Sequence, residues 1–220
     1  MIPKTLGLIH TSATLILVFQ QLCQQYLPGV NLFNIVDDSL VKNIIARGGK
    51  LTPSISKRVA DYVASAEDSG ADYILVTCSS IGAAVEAAAD TVRVPVLRVD
   101  QPMADLAVQK GKRIGVIATL RTTLEPTADL VQRRAALAGK EIEINARLCE
   151  GAFEALMGGD AAKHDELVAK ALRQLMQEVD VILLAQASMA RVVDALADED
   201  KGVPILASPP NAIQYIANLV

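Results

Sequence analysis

A repeat constrains this chain more than any other feature. Lys4-Thr-Leu-Gly-Leu-Ile-His-Thr-Ser-Ala-Thr lines up with Lys112-Arg-Ile-Gly-Val-Ile-Ala-Thr-Leu-Arg-Thr. Asp72-Tyr-Ile-Leu-Val-Thr-Cys-Ser-Ser lines up with Asp180-Val-Ile-Leu-Leu-Ala-Gln-Ala-Ser at the same offset of 108 residues. Gly48-Gly49 answers Gly158-Gly159, and Val94-Pro95 answers Val203-Pro204, each displaced by a residue or two. Self-similarity at a fixed offset means that one supersecondary plan is used twice.

The plan is read from hydrophobic periodicity. Leu6–Ile9, Val30–Val36, Ile74–Val76 and Val94–Leu97 are short apolar runs, and helical spacing fills the intervals between them. Pro28-Gly29, Gly48-Gly49 and Gly70 break those helices. Ser54 or Ser56 is placed to cap the helix that runs past Ala66, Ser80–Ala89 reads as a helix after Cys78, and Gln101-Pro102 opens another that ends near Gly111. Strands alternating with helices predict an α/β fold of two pseudo-symmetric flavodoxin-like halves, each a parallel doubly wound sheet. Residues 1–100 with 208–220 are expected to form the first half and 101–207 the second, with an active-site cleft between them at the carboxyl ends of the strands.

Those strand ends carry a consistent chemistry. In order they are His10-Thr11-Ser12, Asp37-Asp38-Ser39, Thr77-Cys78-Ser79-Ser80, Ala118-Thr119 with Thr122 and Thr123, Leu148-Cys149-Glu150, and Ala185-Gln186-Ala187-Ser188. Hydroxyl groups beside helix N-terminal N–H groups suit a carboxylate ligand. A thiol at such a junction is expected to be shifted towards thiolate and to serve as an acid/base. The chemistry that gains is proton transfer at the carbon next to a carboxylate, where several donors stabilise the charge that moves onto oxygen.

Composition removes other classes. The net charge of −4 offers no overall basic balance for nucleic acid or an anionic membrane, and aromatics at 3% with no Trp leave few stacking platforms. No stretch reaches the roughly eighteen apolar residues of a membrane span, and Leu6–Phe19 is interrupted by His10, Thr11, Ser12 and Thr14, unlike a signal peptide. Cys23, Cys78 and Cys149 lack metal-ligand spacing, which argues for a reducing cytoplasm and against a bound metal. Cys23 reads as helix packing and His164 as a solvated helix residue.

The Val-Thr-Cys-Ser-Ser segment, its counterpart in the second half, the Ile-Gly-Val-Ile-Ala-Thr-x-x-Thr segment from Ile114 to Thr122 and the two-half layout together resemble the aspartate/glutamate/hydantoin racemase superfamily. The resemblance covers essentially the whole length. It implies a cofactor-independent racemase or isomerase of a small carboxylic acid, in which a cysteine from each half flanks the substrate α-carbon. Cys78 matches the first of these. Ser79, Ser80, Thr119, Thr122 and Thr123 fall where the carboxylate would be held, and Thr11, Ser12, Gln186 and Ser188 join them as substrate-binding candidates. Gln186 stands where the second cysteine is expected, and an amide has no acid or base function near neutral pH. His10, Glu150 and Cys149 are therefore the candidates for a second acid/base. Single-cysteine members similar to arylmalonate decarboxylase, isomerases similar to maleate isomerase, and a silent small-acid binding protein are the alternatives. The expected setting is a cytoplasmic homo-oligomer with a small carboxylate as its partner.

Overall fold

The apolar runs that end in small polar residues become the strands of two parallel sheets in the computed structural model, which describes residues 3–196 and 202–220. Two compact units result: Met1–Val99 with Ala212–Val220, and Asp100–Asn211.

Unit 1 runs β1 (Thr5–His10), α1 (Leu15–Tyr26), β2 (Asn31–Val36), α2 (Ser39–Ala46), α3 (Pro53–Asp68), β3 (Tyr73–Val76), a 3-10 turn (Ser79–Ile81), α4 (Gly82–Ala89) and β4 (Val96–Arg98). Its sheet has the order β2-β1-β3-β4 with every pair parallel. A parallel sheet covered on both faces needs apolar side chains in both directions, which is why β1 reads as an unbroken run. Leu6 and Leu8 face a cluster with Phe19, Cys23, Ala212, Ile213 and Ile216, whereas Ile9 joins Leu40, Val59, Ile74 and Val85 on the other face.

Unit 2 runs α5 (Gln101–Lys110), β5 (Arg113–Ala118), α6 (Arg121–Leu137), β6 (Glu143–Leu148), α7 (Ala152–Met157), α8 (Ala161–Leu175), β7 (Val181–Leu184), a 3-10 turn (Ala187–Met189), α9 (Ala190–Ala195), β8 (Ile205–Ala207) and the first turn of α10 (Ser208–Ala217), which from Ala212 onward belongs to unit 1. The strand order, β6-β5-β7-β8, is that of unit 1. The repeated Asp has a structural reason. Asp72 accepts from Thr5 N at 2.8 Å and Lys4 Nζ at 2.9 Å, and Asp180 accepts from Arg113 N at 2.8 Å and Lys112 N at 3.0 Å. In both sheets one carboxylate satisfies the otherwise unpaired start of the central strand.

Three local expectations change. Thr52, not Ser54 or Ser56, caps α3: its hydroxyl accepts from Ile55 N, and Pro53 takes the first helical position, where a missing N–H costs nothing. The segment after Cys78 begins as a separate 3-10 turn, so α4 starts only at Gly82. His164 is fully buried rather than solvated, because it occupies the stripe of α8 that continues through Val168, Ala171, Leu172 and Leu175. Its Nδ1 lies 2.7 Å from Asp165 Oδ1, and Nε2 has no partner among the described residues. Cys23 is buried in the unit 1 core, where desolvation raises its thiol pKa to about 11. No described helix is long and apolar enough to cross a membrane.

Candidate active site

Cys78 lies two residues beyond the end of β3 and immediately before the 3-10 turn. The residue is half-buried. Burial pushes the thiol above its ordinary value, against hydrogen bonds from the Thr11 hydroxyl, the Ser80 N–H and hydroxyl, and the Ile81 N–H. The expected shift towards thiolate is thus reversed. A single 3-10 turn aligns too few peptide dipoles to offset the loss of water. The four donors converge on the sulfur all the same, so an anion formed there has partners waiting.

The residues behind the thiol hold it in place. His10, at the end of β1, is fully buried, with Nε2 2.9 Å from Asn34 Oδ1 and Nδ1 2.8 Å from Thr77 Oγ1. Burial keeps the ring pKa low, with Asn34 partly opposing, so the imidazole is neutral, with Nε2 against the Asn34 amide oxygen and Nδ1 against the Thr77 hydroxyl, which also lies 3.2 Å from Ile9 O. Both nitrogens are engaged inside unit 1, so His10 is not placed to trade protons with a ligand. It anchors the residue before Cys78. Asn34 gave no signal in the sequence beyond being a polar residue in an edge strand.

Thr11 is buried against the sulfur, whereas Ser12 pairs with Thr14 at 2.8 Å at the head of α1. Ser79 is buried in the turn. Asp37 becomes the hub of a separate cluster: burial would raise its carboxyl, but Tyr62, both donors of Ser39 and Arg58 together hold it low. Arg58 and Tyr62 come from α3, and only the fold brings them to the end of β2.

Sequence reasoning also passed over Arg98. Its side chain is 3% exposed, it bonds Glu86 Oε1 at 2.7 Å, and it lies in register with Val76 at the end of β4. A charge in a buried strand is a signal that could have found it.

In unit 2, Gln186 Oε1 accepts from Thr119 N at 2.5 Å and from Thr119 Oγ1 at 2.9 Å. Two donors on one atom identify it as the carbonyl oxygen, which leaves the amide nitrogen as the donor group of this side chain. Thr122 and Thr123 lie in the first turn of α6, which has no side-chain cap. The Thr122 hydroxyl oxygen is buried without a partner among the described residues, an arrangement that suits an incoming acceptor. Thr123 is buried with a partner. Ser188 is half-buried in the second 3-10 turn. Cys149 packs with Ala152, Val168 and Leu172, and burial pushes its thiol up to about 11 against the nearby Arg147 charge. It is a core residue, not an acid/base, and Glu150 beside it points to an exposed turn. Among the described residues no group of three or more His, Cys, Asp and Glu could hold a metal ion.

A family model described as Asp/Glu/Hydantoin racemase matches residues 6–216. The chain belongs to the Asp/Glu/hydantoin racemase family. Among solved structures it is similar to a glutamate racemase from Bacillus anthracis, at 18% identity and a TM-score of 0.73 over 100% of this chain and 82% of that one. An allantoin racemase from Klebsiella pneumoniae gives 15% identity and a TM-score of 0.71 over 98% and 87%. An aspartate racemase from Picrophilus torridus gives 13% and 0.68 over 98% and 94%. No curated protein matches. These likenesses concern the fold. The racemase fold thus presents two strand-end sites here: one with a thiol under four donors, and one with an amide locked to a threonine.

Proposed function

We propose that the chain is a cofactor-independent isomerase of racemase type, cytoplasmic and acting on a small carboxylic acid, in which Cys78 moves the proton at the carbon next to the carboxylate. The convergence of the Thr11, Ser80 and Ile81 donors on Cys78 carries this reading. As a base, the thiolate takes the α-proton and the C–H electron pair moves into the carboxyl group to give an enediolate. The Ser79 and Ser80 hydroxyls donate to its oxygens, and return of a proton restores the acid.

Two observations favour a second reading, single-thiol decarboxylation or cis-trans isomerisation. Burial keeps Cys78 protonated at rest, and the residue at the sequence position of a second thiol is a glutamine, whose amide has no proton to trade near neutral pH and whose carbonyl oxygen is taken by Thr119. In decarboxylation the C–C bond to the departing CO2 breaks, its electron pair enters the remaining carboxyl group, the Cys78 thiol protonates the carbon, and solvent reloads the sulfur. Proton donation uses the thiol in the state that burial selects.

A panel of small amino, hydroxy and malonic-type acids in deuterated buffer separates these readings. NMR would follow α-proton exchange, inversion and CO2 loss, and thermal shift would report binding. Exchange with inversion supports the racemase and CO2 loss the decarboxylase. If an acid raises Tm yet shows no exchange, isomerisation or CO2 loss, the chain is a binding protein and catalysis by Cys78 is refuted.

A further inference from the structure

Gly82 opens α4 with φ −56° and ψ −41°, an ordinary right-handed helical conformation. Backbone geometry therefore does not ask for glycine, which is a poorer helix former than alanine. The neighbouring space does ask for it. A Cβ on Gly82 would lie 2.2 Å from Arg98 Cζ, 2.4 Å from Nη2 and 2.6 Å from Nε, so the guanidinium rests flat against the bare backbone. Glu86, one turn further along α4, takes Nη1 at 2.7 Å. The guanidinium is 3% exposed and spans from the end of β4 to the helix that carries the thiol turn.

The repeat supplies an internal control. Val76 pairs with Arg98 in unit 1, and its counterpart Leu184 pairs with Ala207 in unit 2. At the offset of the repeat, Gly82 corresponds to Ala190. The unit with the thiol carries glycine and arginine, and the unit with the glutamine carries alanine at both positions. The two substitutions go together because either alone fails: alanine at 82 collides with the guanidinium, and without arginine the glycine has no purpose.

We infer that Arg98, stacked on Gly82 and tied to Glu86, is a positioning residue for the Cys78 turn. It fixes the start of α4, and through it the Ser80 and Ile81 N–H groups that meet the sulfur. The inference deepens the thiol reading of Cys78, and its test reads the thiol directly so that it does not depend on any turnover.

The experiment is alkylation of Cys78 by iodoacetamide across about pH 6 to 10, located by peptide mass spectrometry, with Tm measured in parallel. Arg98→Ala is expected to raise the thiol pKa by about one unit, which slows alkylation about tenfold below it. Arg98→Lys, which keeps the charge but not the flat fork, should fall with Arg98→Ala. Gly82→Ala should lower Tm, and Gly82→Ala with Arg98→Ala should regain Tm while alkylation stays slow. A wild-type alkylation profile in Arg98→Ala or in the double variant overturns the inference. A wild-type profile in Arg98→Lys assigns the effect to charge alone and overturns positioning, and failure of the double variant to regain Tm overturns the stacking.

Discussion

Replacing Thr11 by valine keeps the volume of a buried side chain and removes one hydrogen-bond donor from Cys78. Hydrogen bonds to a charged group contribute about 1.5–3 kcal/mol, against about 1 kcal/mol for a neutral pair. Losing the donor therefore penalises thiolate relative to thiol by about 1–2 kcal/mol, which at 1.36 kcal/mol per unit is a rise of about one pKa unit. Burial already holds the thiol above its ordinary value, so the change adds to an existing shift. Three of the four donors remain, all from the turn itself. The assay is the pH dependence of Cys78 alkylation, and the expected result is a profile displaced upward by about one unit with Tm nearly unchanged. If Thr11→Val alkylates with the wild-type profile, the hydroxyl does not serve the sulfur, and the reasoning from converging donors is refuted.

Two further outcomes follow from unit 2. The Cys149 thiol, raised to about 11 from an ordinary value of 9.0, binds its proton more tightly folded than unfolded. Its contribution to stability is complete below pH 9 and is lost as pH rises from about 9 towards 11, so urea denaturation across that range should show an alkaline decline that Cys149→Val makes shallower. An equally steep decline in the variant contradicts the assignment. Gln186→Leu leaves the buried Thr119 N–H and hydroxyl without their acceptor and should cost about 1–3 kcal/mol in urea denaturation, whereas Gln186→Glu keeps the acceptor and should retain most of it.

The architecture was legible because parallel strands buried on both faces leave unbroken apolar runs, and because the Asp72/Asp180 anchors mark the same structural task twice. Cys78 was legible as a residue at a strand end. Its protonation was not, since desolvation depends on how much protein surrounds the sulfur, a quantity no local motif encodes. Arg98, Asn34, Arg58 and Tyr62 act through partners 12 to 25 residues away, which the fold alone brings together. His164 misled because one polar residue on an otherwise apolar stripe reads as a helix edge, when the stripe includes it. Thr52 was hidden by two nearby serines, although Pro53 marked the first helical position.

Turnover by Cys78→Ser tests the role of the thiol most directly. With an acid that the wild type processes, α-proton exchange or CO2 loss in deuterated buffer is followed by NMR for both proteins, with binding checked by thermal shift. Serine keeps the shape and a hydroxyl, but at near-neutral pH it cannot supply the acid/base function, so the rate should fall by about 100- to 10,000-fold while the acid still binds. A Cys78→Ser protein that turns over at the wild-type rate would contradict the assignment of proton transfer to Cys78.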